Sequence, residues 1–78
     1  MFMRNTTTDI NKKICLKIKL ERVKRNWSQE ELAEYSKLSV NTIGRIERSQ
    51  ISPTIDTIVQ ISQAFELDFN TLTDLSNI

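Results

Sequence analysis

Two polar side chains four residues apart, Asn41 and Arg45, carry the most specific chemistry that this sequence offers. On a helix this spacing places them one turn apart on the same face. Asparagine can bond in bidentate fashion to N6 and N7 of adenine, and arginine to O6 and N7 of guanine. Val40 adds a methyl surface of the kind that packs on the thymine methyl group. The three residues are therefore candidates for contacts to base edges.

A helix that begins at Ser28 is predicted to form the first half of the element that positions them. Ser28 and Glu31 have the spacing of a capping box, in which each side chain bonds the backbone amide of the other residue. Trp27 and Leu32 flank this box at the positions of a hydrophobic staple. These two signals together fix the start of the helix and the direction from which the chain enters it.

A second helix is predicted to begin at Ser39, only eleven residues later. The Ser39 hydroxyl can cap the amide of Asn41 or Thr42, ahead of the apolar pair Ile43 and Ile46. Two helices this short cannot bury their apolar faces alone. Packed at roughly 90 to 120° to each other, they form a helix-turn-helix whose second helix projects outward.

The sequence over 29–48, QEELAEYSKLSVNTIGRIER, resembles the Cro/C1-type (lambda repressor-like, XRE) DNA-binding domains. The matching positions are Gln29, Leu32, Ala33, Leu38, Ser39, Ile43, Ile46 and Glu47. The likeness extends upstream through KIKLERVKRNWSQ and downstream through SPTIDTIVQISQAFELDFNTL. It implies an all-α, compact five-helix lambda repressor-like domain in which the helix-turn-helix forms helices 2 and 3.

The resemblance also assigns roles to residues outside the recognition helix. It places a structural salt bridge between Arg22 and Glu47, tying helix 1 to the recognition helix. Three positions where the family usually has glycine are occupied here by Asn26, Lys37 and Ser49. We expect these residues to adopt the left-handed conformation, at a steric cost of about 1 kcal/mol for a residue such as lysine.

Polar residues around the recognition helix are candidates for phosphate contacts, which set the register of a protein on DNA without reading its sequence. They are Gln29, Ser39, Thr42, Lys37, Arg48 and Lys17. Gly44 is placed by the helical periodicity on the same outward side. Two interpretations of Gly44 remain open: a tolerated position facing solvent, or a missing side chain that lets the helix approach the duplex or a neighbour closely.

The net charge of +1 conceals a strongly polarised chain. Residues 1–27 carry eight basic and two acidic side chains, residues 28–48 three and four, and residues 49–78 none and four. The basic residues of the first segment are Arg4, Lys12, Lys13, Lys17, Lys19, Arg22, Lys24 and Arg25. We expect this end to flank the duplex and the acidic third to face away from it. The alternative is an ordinary solvated helix face.

Residues 1–8 are predicted to be a flexible N-terminal arm, and residues 9–78 the folded domain. Helix 1 is predicted from Asp9, its N-cap, to about Arg25. Its apolar residues form two stripes, Ile10, Ile14 and Ile18 on one side and Leu16, Leu20, Val23 and Trp27 on the other. One stripe must pack on helices 2 and 4. The other is expected under the end of the chain or against a second subunit.

Downstream, Pro53 precedes a predicted fourth helix with Thr54 as its cap, and Asp68 is the predicted cap of a terminal helix. Phe69, Leu72, Leu75 and Ile78 recur there at three-residue intervals. Such a stripe is usually intramolecular core. Because family members of this size typically dimerise through this region, these residues are also the candidate homodimer interface.

Catalysis has little support in this composition. There is no histidine, the lone Cys15 has no activating base, and no glycine-rich phosphate loop is present. We therefore expect no enzymatic activity, no metal, no cofactor and no small-molecule effector. No apolar run reaches the roughly 20 residues of a membrane span, and the start of the chain lacks the apolar stretch of a signal peptide, so we expect a cytoplasmic protein.

These observations favour a sequence-specific regulator of transcription that binds double-stranded DNA. The expected form is a homodimer on a roughly palindromic operator, acting as a repressor or autoregulator. The competing interpretation is an antitoxin-like or adaptor module that keeps the fold but binds protein. Gly44, Lys37 and the low net charge are the features that support this alternative.

Overall fold

A computed structural model describes residues 7–76, and the side chains of residues 9–76. This part of the chain contains five α-helices and no strand. They are α1 (Thr7–Lys24), α2 (Gln29–Ser36), α3 (Val40–Glu47), α4 (Ile55–Phe65) and α5 (Phe69–Leu72). The predicted all-α architecture is confirmed, with α2 and α3 as the helix-turn-helix. Among the helices described, none is both long enough and apolar enough to cross a lipid bilayer.

The core of the described region draws apolar side chains from all five helices, with α2 packed on α3 and α4. Its buried members are Cys15, Ile18, Leu32, Ala33, Ile43, Ile46, Ile58, Ile61, Phe65 and Leu72. Burial raises the pKa of the Cys15 thiol, which keeps it in the protonated, unreactive form.

Helices α2, α3 and α4 begin where the sequence predicts, because side-chain oxygens accept hydrogen bonds from amides in their first turns. Ser28 Oγ accepts from the Glu31 amide at 3.0 Å, and Glu31 Oε1 accepts from the Ser28 amide at 2.8 Å, which completes the capping box. Ser39 Oγ accepts from the Thr42 amide at 3.0 Å. Thr54 caps α4 in the same way.

Four residues with positive φ connect the helices: Asn26 (59°), Lys37 (61°), Ser49 (58°) and Glu66 (57°). The first three are the positions that the resemblance indicated. Glu66, which ends α4, was not expected, because glutamate carries no local signal for the left-handed region. At the corner between α2 and α3, the Lys37 amide bonds back to the carbonyls of Ala33 and Glu34.

Helix α1 begins at Thr7 rather than at Asp9, so Thr7 and Thr8 belong to the helix and not to the predicted arm. Residues 1–6 lie outside the described part of the chain. Asp9 is not the N-cap but lies in the first turn, where its negative charge interacts favourably with the helix dipole. The helix ends at Lys24, one residue before the predicted end.

The two apolar stripes of α1 have different environments. Ile18 is fully buried and Ile14 packs against the core, so their stripe is the core face. Ile10, at the start of that stripe, is 41% exposed. In the opposite stripe, Leu16, Leu20 and Val23 are 43%, 48% and 49% exposed. Within the described part of the chain, nearly half of the surface of each of these three side chains is left exposed.

Trp27 departs from the exposed stripe to which the periodicity assigned it, because it follows the turn that ends α1. Its ring stacks on Phe65 of α4, with centroids 5.7 Å apart, and lies 4.6 Å from the ring of Tyr35 in α2. The Arg25 guanidinium lies 4.6 Å from the Phe65 centroid. This aromatic group joins α1, α2 and α4 at one end of the molecule.

Helix α5 is a single turn, and its apolar residues do not share one environment. Leu72 is fully buried in the core of the protomer, so its placement in a dimer interface was wrong. Phe69 is 37% exposed and Leu75 is half-buried, whereas Ile78 lies outside the described residues. Asp68 occupies the N-cap position, but its side chain makes no capping hydrogen bond to this four-residue helix.

Candidate nucleic-acid interface

The outer surface of α3 displays the three residues with base-reading chemistry. Val40 is 43% exposed, and Asn41 and Arg45 are also exposed. On the opposite side of the helix, Ile43 and Ile46 are completely buried. The inward pair fixes the rotation of α3, so the exposed residues face away from the body of the protein.

The orientation of α3 is also fixed by a polar network that reaches two other helices. Arg22 Nε donates to Glu47 Oε2 at 2.7 Å, and Arg22 Nη2 donates to Glu47 Oε1 at 3.0 Å. Arg22 Nη1 donates to the Trp27 carbonyl at 2.6 Å. The hydrogen bond to Glu47 raises the pKa of Arg22, which therefore stays charged. Arg22 lies in this network as the resemblance implies, and its charge is not directed at a ligand.

Gln29 joins the same network rather than standing free beside α3. Its Nε2 donates to Glu47 Oε1 at 3.1 Å, and the side chain is only partly exposed. The predicted phosphate contact through this side-chain amide is therefore not supported. Among the backbone amides in the first turn of α2, that of Glu31 is capped by Ser28 Oγ, whereas those of Gln29 and Glu30 have no partner further back in the helix.

Ser39 and Thr42 are bonded to each other at the start of α3. Ser39 Oγ donates to Thr42 Oγ1 at 2.8 Å while accepting the Thr42 amide. The Ser39 hydroxyl hydrogen is thus used within the cap. Thr42 accepts in this pair, so its own hydroxyl hydrogen is the one of the two that remains to be directed at a phosphate oxygen.

Gly44 is buried, which excludes the first of its two interpretations, a position facing solvent. A Cβ atom built at this position would lie 3.0 Å from Arg48 Nη1 and 3.6 Å from Gln29 Oε1. Gly44 is buried because the side chain of Arg48, one turn later, lies back across the helix and covers it. Arg48 remains exposed, and its Nη2 donates to Gln50 Oε1 at 3.3 Å.

Lys37 and Lys17, two predicted phosphate contacts, occupy very different places. Lys37 is exposed at the corner between α2 and α3, next to the candidate surface. Lys17 instead donates from Nζ to the carbonyl oxygens of Thr71 (3.4 Å) and Asp74 (3.2 Å). It therefore interacts with the negative end of α5, and its prediction as a phosphate contact is not supported by this position.

Two further basic residues, Lys24 and Arg25, make contacts within the protein at the end of α1. Lys24 and Arg25 pair with Glu21 at 3.2 and 2.7 Å, and Arg25 Nη2 also donates to the Phe65 carbonyl. Burial by itself would raise the pKa of Glu21, but the hydrogen bonds from Arg25 and Lys24 outweigh it and lower that pKa overall. The expectation that this basic end flanks the duplex is therefore not supported for Lys17 and Arg25, whose side chains are bonded within the protein.

The sequence reasoning missed two features of this surface. One is the cover that Arg48 provides over Gly44, although their spacing of four residues places them on one face. The other is that the Glu47 carboxylate accepts hydrogen bonds from both Arg22 and Gln29. In the described part of the chain, no cluster of three or more histidine, cysteine or carboxylate side chains has the arrangement of a metal site.

Comparisons with a family model, with characterised proteins and with solved structures each find proteins similar to this chain. The helix-turn-helix family matches residues 18–72. The chain is 37% identical over 54 residues to the HTH-type transcriptional regulator SutR of Escherichia coli (strain K12). That match covers 69% of this chain but only 30% of the length of SutR. Among solved structures, the restriction-modification controller protein C.AhdI from Aeromonas hydrophila superposes with a TM-score of 0.75 at 26% identity, covering 82% of this chain and 96% of that one.

Proposed function

This chain belongs to the helix-turn-helix family of the Cro/C1 type, and from that premise we propose that it is a sequence-specific regulator of transcription that binds double-stranded DNA. The observation that carries the proposal is the exposed face of α3. Val40, Asn41 and Arg45 are exposed on it, while the opposite side is anchored by buried isoleucines and by Glu47. A short helix held in this way can enter a major groove without a change in its own packing.

We assign different tasks to the residues of this surface. Asn41 and Arg45 read adenine and guanine edges, each for about 1 to 3 kcal/mol of discrimination, and Val40 contacts a thymine methyl group. Thr42, Lys37 and Arg48, with the amide ends of α2 and α3, contact phosphates. Lys37 and Arg48 are the exposed cations that flank this surface, and each neutralises a phosphate in the complex.

The active form in this proposal is a homodimer on a roughly palindromic site. A domain of 78 residues has a modest core and gains from a partner subunit. Phe69 and Leu75 at the C-terminal end of the described region are the apolar residues that support such an interface. Two recognition helices then enter successive major grooves about 34 to 36 Å apart. In this proposal the protein acts as a repressor or autoregulator.

Selection of bound oligonucleotides from a random pool, followed by binding measured against salt, tests this function. We expect one enriched, roughly palindromic sequence, and a linear fall of log K with log salt concentration. Four neutralised phosphates per dimer correspond to a slope of about −3.6. An adaptor that keeps the fold but binds protein would enrich no sequence and show no such slope, and that result would refute the proposal. Sedimentation with and without the selected site gives the subunit count.

A further inference from the structure

The outward stripe of α1 consists of three exposed apolar side chains that the proposed DNA interface leaves unused. Leu16, Leu20 and Val23 are each between 43% and 49% exposed. Four residues separate Leu16 from Leu20, and three separate Leu20 from Val23. This is the spacing of the contact positions in a pair of supercoiled helices. Because Leu20 precedes Arg22 by two residues, the stripe lies about 200° around α1 from the side that binds α3. It therefore stays accessible when α3 occupies a groove.

Lysines border this stripe on both sides. With Leu16 and Val23 as d positions and Leu20 as an a position, the flanking e and g positions of the heptad are all lysine. They are Lys12, Lys17, Lys19 and Lys24. The Lys17 ammonium is held by α5, while the other three are exposed. Glu21 is the one carboxylate between Ile10 and Lys24, and it lies on the other side of the helix in contact with Arg25. Lys24 also pairs with Glu21 at 3.2 Å, but its side chain is 69% exposed.

The charges decide which occupant fits this surface. Pairing of α1 with α1 of a second copy would bring lysine against lysine at every flanking position, and like charges there disfavour the pair. An anionic lipid surface would match the positive charge of the lysines. Helices that bind such surfaces have a broad apolar face that includes aromatic residues. The stripe on α1 is narrow, because it consists of three aliphatic side chains along one line of the helix. A helix with aliphatic residues at the contact positions and acidic residues at the flanking positions matches both the apolar spacing of the stripe and the positive charge of the lysines.

We propose that the outward face of α1 is a docking surface for an acidic amphipathic helix of another protein. The partner helix presents aliphatic side chains at intervals of three and four residues to Leu16, Leu20 and Val23. Its glutamates or aspartates lie opposite Lys12, Lys19 and Lys24. The contact covers about two helical turns, so the association is weak and sensitive to salt. It places a second protein on the side of the domain away from α3.

A synthetic peptide of three heptads, with leucine at a and d and glutamate at e and g, is the probe for this surface. It is fluorescently labelled and titrated with the full chain at about 20 mM salt, where screening is weak. We expect saturable binding, with NMR shifts confined to the outward face of α1. Leu20→Ser should lower the affinity by about tenfold or more, because it removes the central apolar contact. The matched control Ile55→Ser, at a residue 65% exposed on α4, should bind like the parent.

Charge reversal gives the second arm of the test. The triple variant Lys12→Glu, Lys19→Glu, Lys24→Glu should no longer bind the acidic peptide. It should instead bind a second peptide that has lysine, in place of glutamate, at e and g. Far-UV circular dichroism and the urea midpoint verify that each variant is folded. Unchanged DNA affinity of Leu20→Ser separates this inference from the proposed regulatory function.

Three results would overturn the inference. The first is equal binding of both peptides, or of neither, by the parent chain. The second is a change from dimer to monomer on sedimentation of Leu20→Ser, which would identify a second copy as the occupant. The third is binding of the parent to phosphatidylglycerol vesicles, lost in Leu20→Ser, in the absence of peptide binding.

Discussion

The Arg22 guanidinium and the Glu47 carboxylate meet at two points, with Nε–Oε2 at 2.7 Å and Nη2–Oε1 at 3.0 Å. The arginine side chain is 14% exposed and the glutamate side chain 2%. Gln29 of α2 donates to the same carboxylate, and the Trp27 carbonyl accepts the third arginine bond. The angle at which α3 leaves the protein is consequently determined by three helices together, not by the turn between α2 and α3 alone.

Arg22→Ala should lower the free energy of unfolding by about 3 kcal/mol, since it leaves the Glu47 carboxylate buried with only Gln29 as a partner. Urea unfolding followed by circular dichroism measures this change. The base preference of the fraction that remains folded should be unaltered. Lys24→Ala, which removes a largely exposed partner of Glu21, is the control and should change stability by less than about 0.5 kcal/mol. A folded Arg22→Ala protein with the parental urea midpoint but no DNA binding would show that Arg22 contacts the ligand.

Gly44→Ala should stabilise the protein by about 0.5 to 1 kcal/mol, because alanine loses less conformational entropy in a helix. The added Cβ meets the end of the exposed Arg48 side chain, which can move aside at little cost. Thermal unfolding measures the gain. In an Arg48→Ala background the same substitution should stabilise at least as much. A loss of stability in both backgrounds would show that α3 itself cannot accommodate a side chain at this position.

Lys37→Gly should stabilise the protein by about 0.5 to 1 kcal/mol, since glycine adopts the left-handed conformation without a steric cost. Glu66→Gly, with nearly the same φ at the end of α4, is the matched control for stability. Binding distinguishes the two. Only Lys37→Gly should reduce the magnitude of the salt slope, by about 1 for each phosphate contact removed. Equal slopes for both variants would exclude Lys37 from the phosphate contacts.

Arg45→Ala should relax base preference at one position of each half-site, with a loss of about 1 to 3 kcal/mol on the selected sequence. Stability should change little, because Arg45 is exposed. Competition binding against a panel of single-base variants of the site provides the measurement. Arg48→Ala serves as the comparison, and it should weaken binding to every sequence in the panel by a similar factor. A uniform loss for Arg45→Ala would reassign that residue to the phosphates.

Glu21→Gln should make stability less dependent on acid pH. The pKa of Glu21 in the folded protein lies below its ordinary value of 4.5, because Arg25 and Lys24 favour the carboxylate despite its partial burial. Its contribution is therefore present above pH 4.5 and is lost as pH falls through the lowered pKa. Urea midpoints compared at neutral pH and below pH 4.5 should differ less in the variant than in the parent. An unchanged difference would mean that other carboxylates account for the acid sensitivity.

The starts of α2, α3 and α4 were predictable because each depends on a local signal. Ser28, Ser39 and Thr54 cap amides only three residues further along the chain, so the whole interaction is contained in a few letters. The positive φ of Lys37 and Ser49 was predictable from the family resemblance alone. That of Glu66 was not, because glutamate carries no local signal for the left-handed region.

The destinations of long side chains were not predictable in the same way. Lys17 and Arg48 have the charge expected of phosphate contacts, but Lys17 lies on the carbonyl end of α5 and Arg48 lies across Gly44. Charge and periodicity specify a face of a helix. They do not specify which neighbouring group the long, flexible side chain of a lysine or arginine will contact. Leu72 was misassigned for a related reason, since the periodicity of a terminal helix is the same whether its apolar side meets the core or a second subunit.

Because Trp27 stacks on Phe65, its intrinsic fluorescence can report on the packing of α1, α2 and α4 without any added label. Trp27 is the only tryptophan in the sequence, and it lies where α1, α2 and α4 meet rather than on the exposed face of α3. Its fluorescence therefore reports whether the scaffold is assembled, while an occupied groove would leave its ring contacts in place. Emission spectra can follow unfolding even in the presence of bound oligonucleotide, so one chromophore separates loss of fold from loss of ligand in every variant considered above.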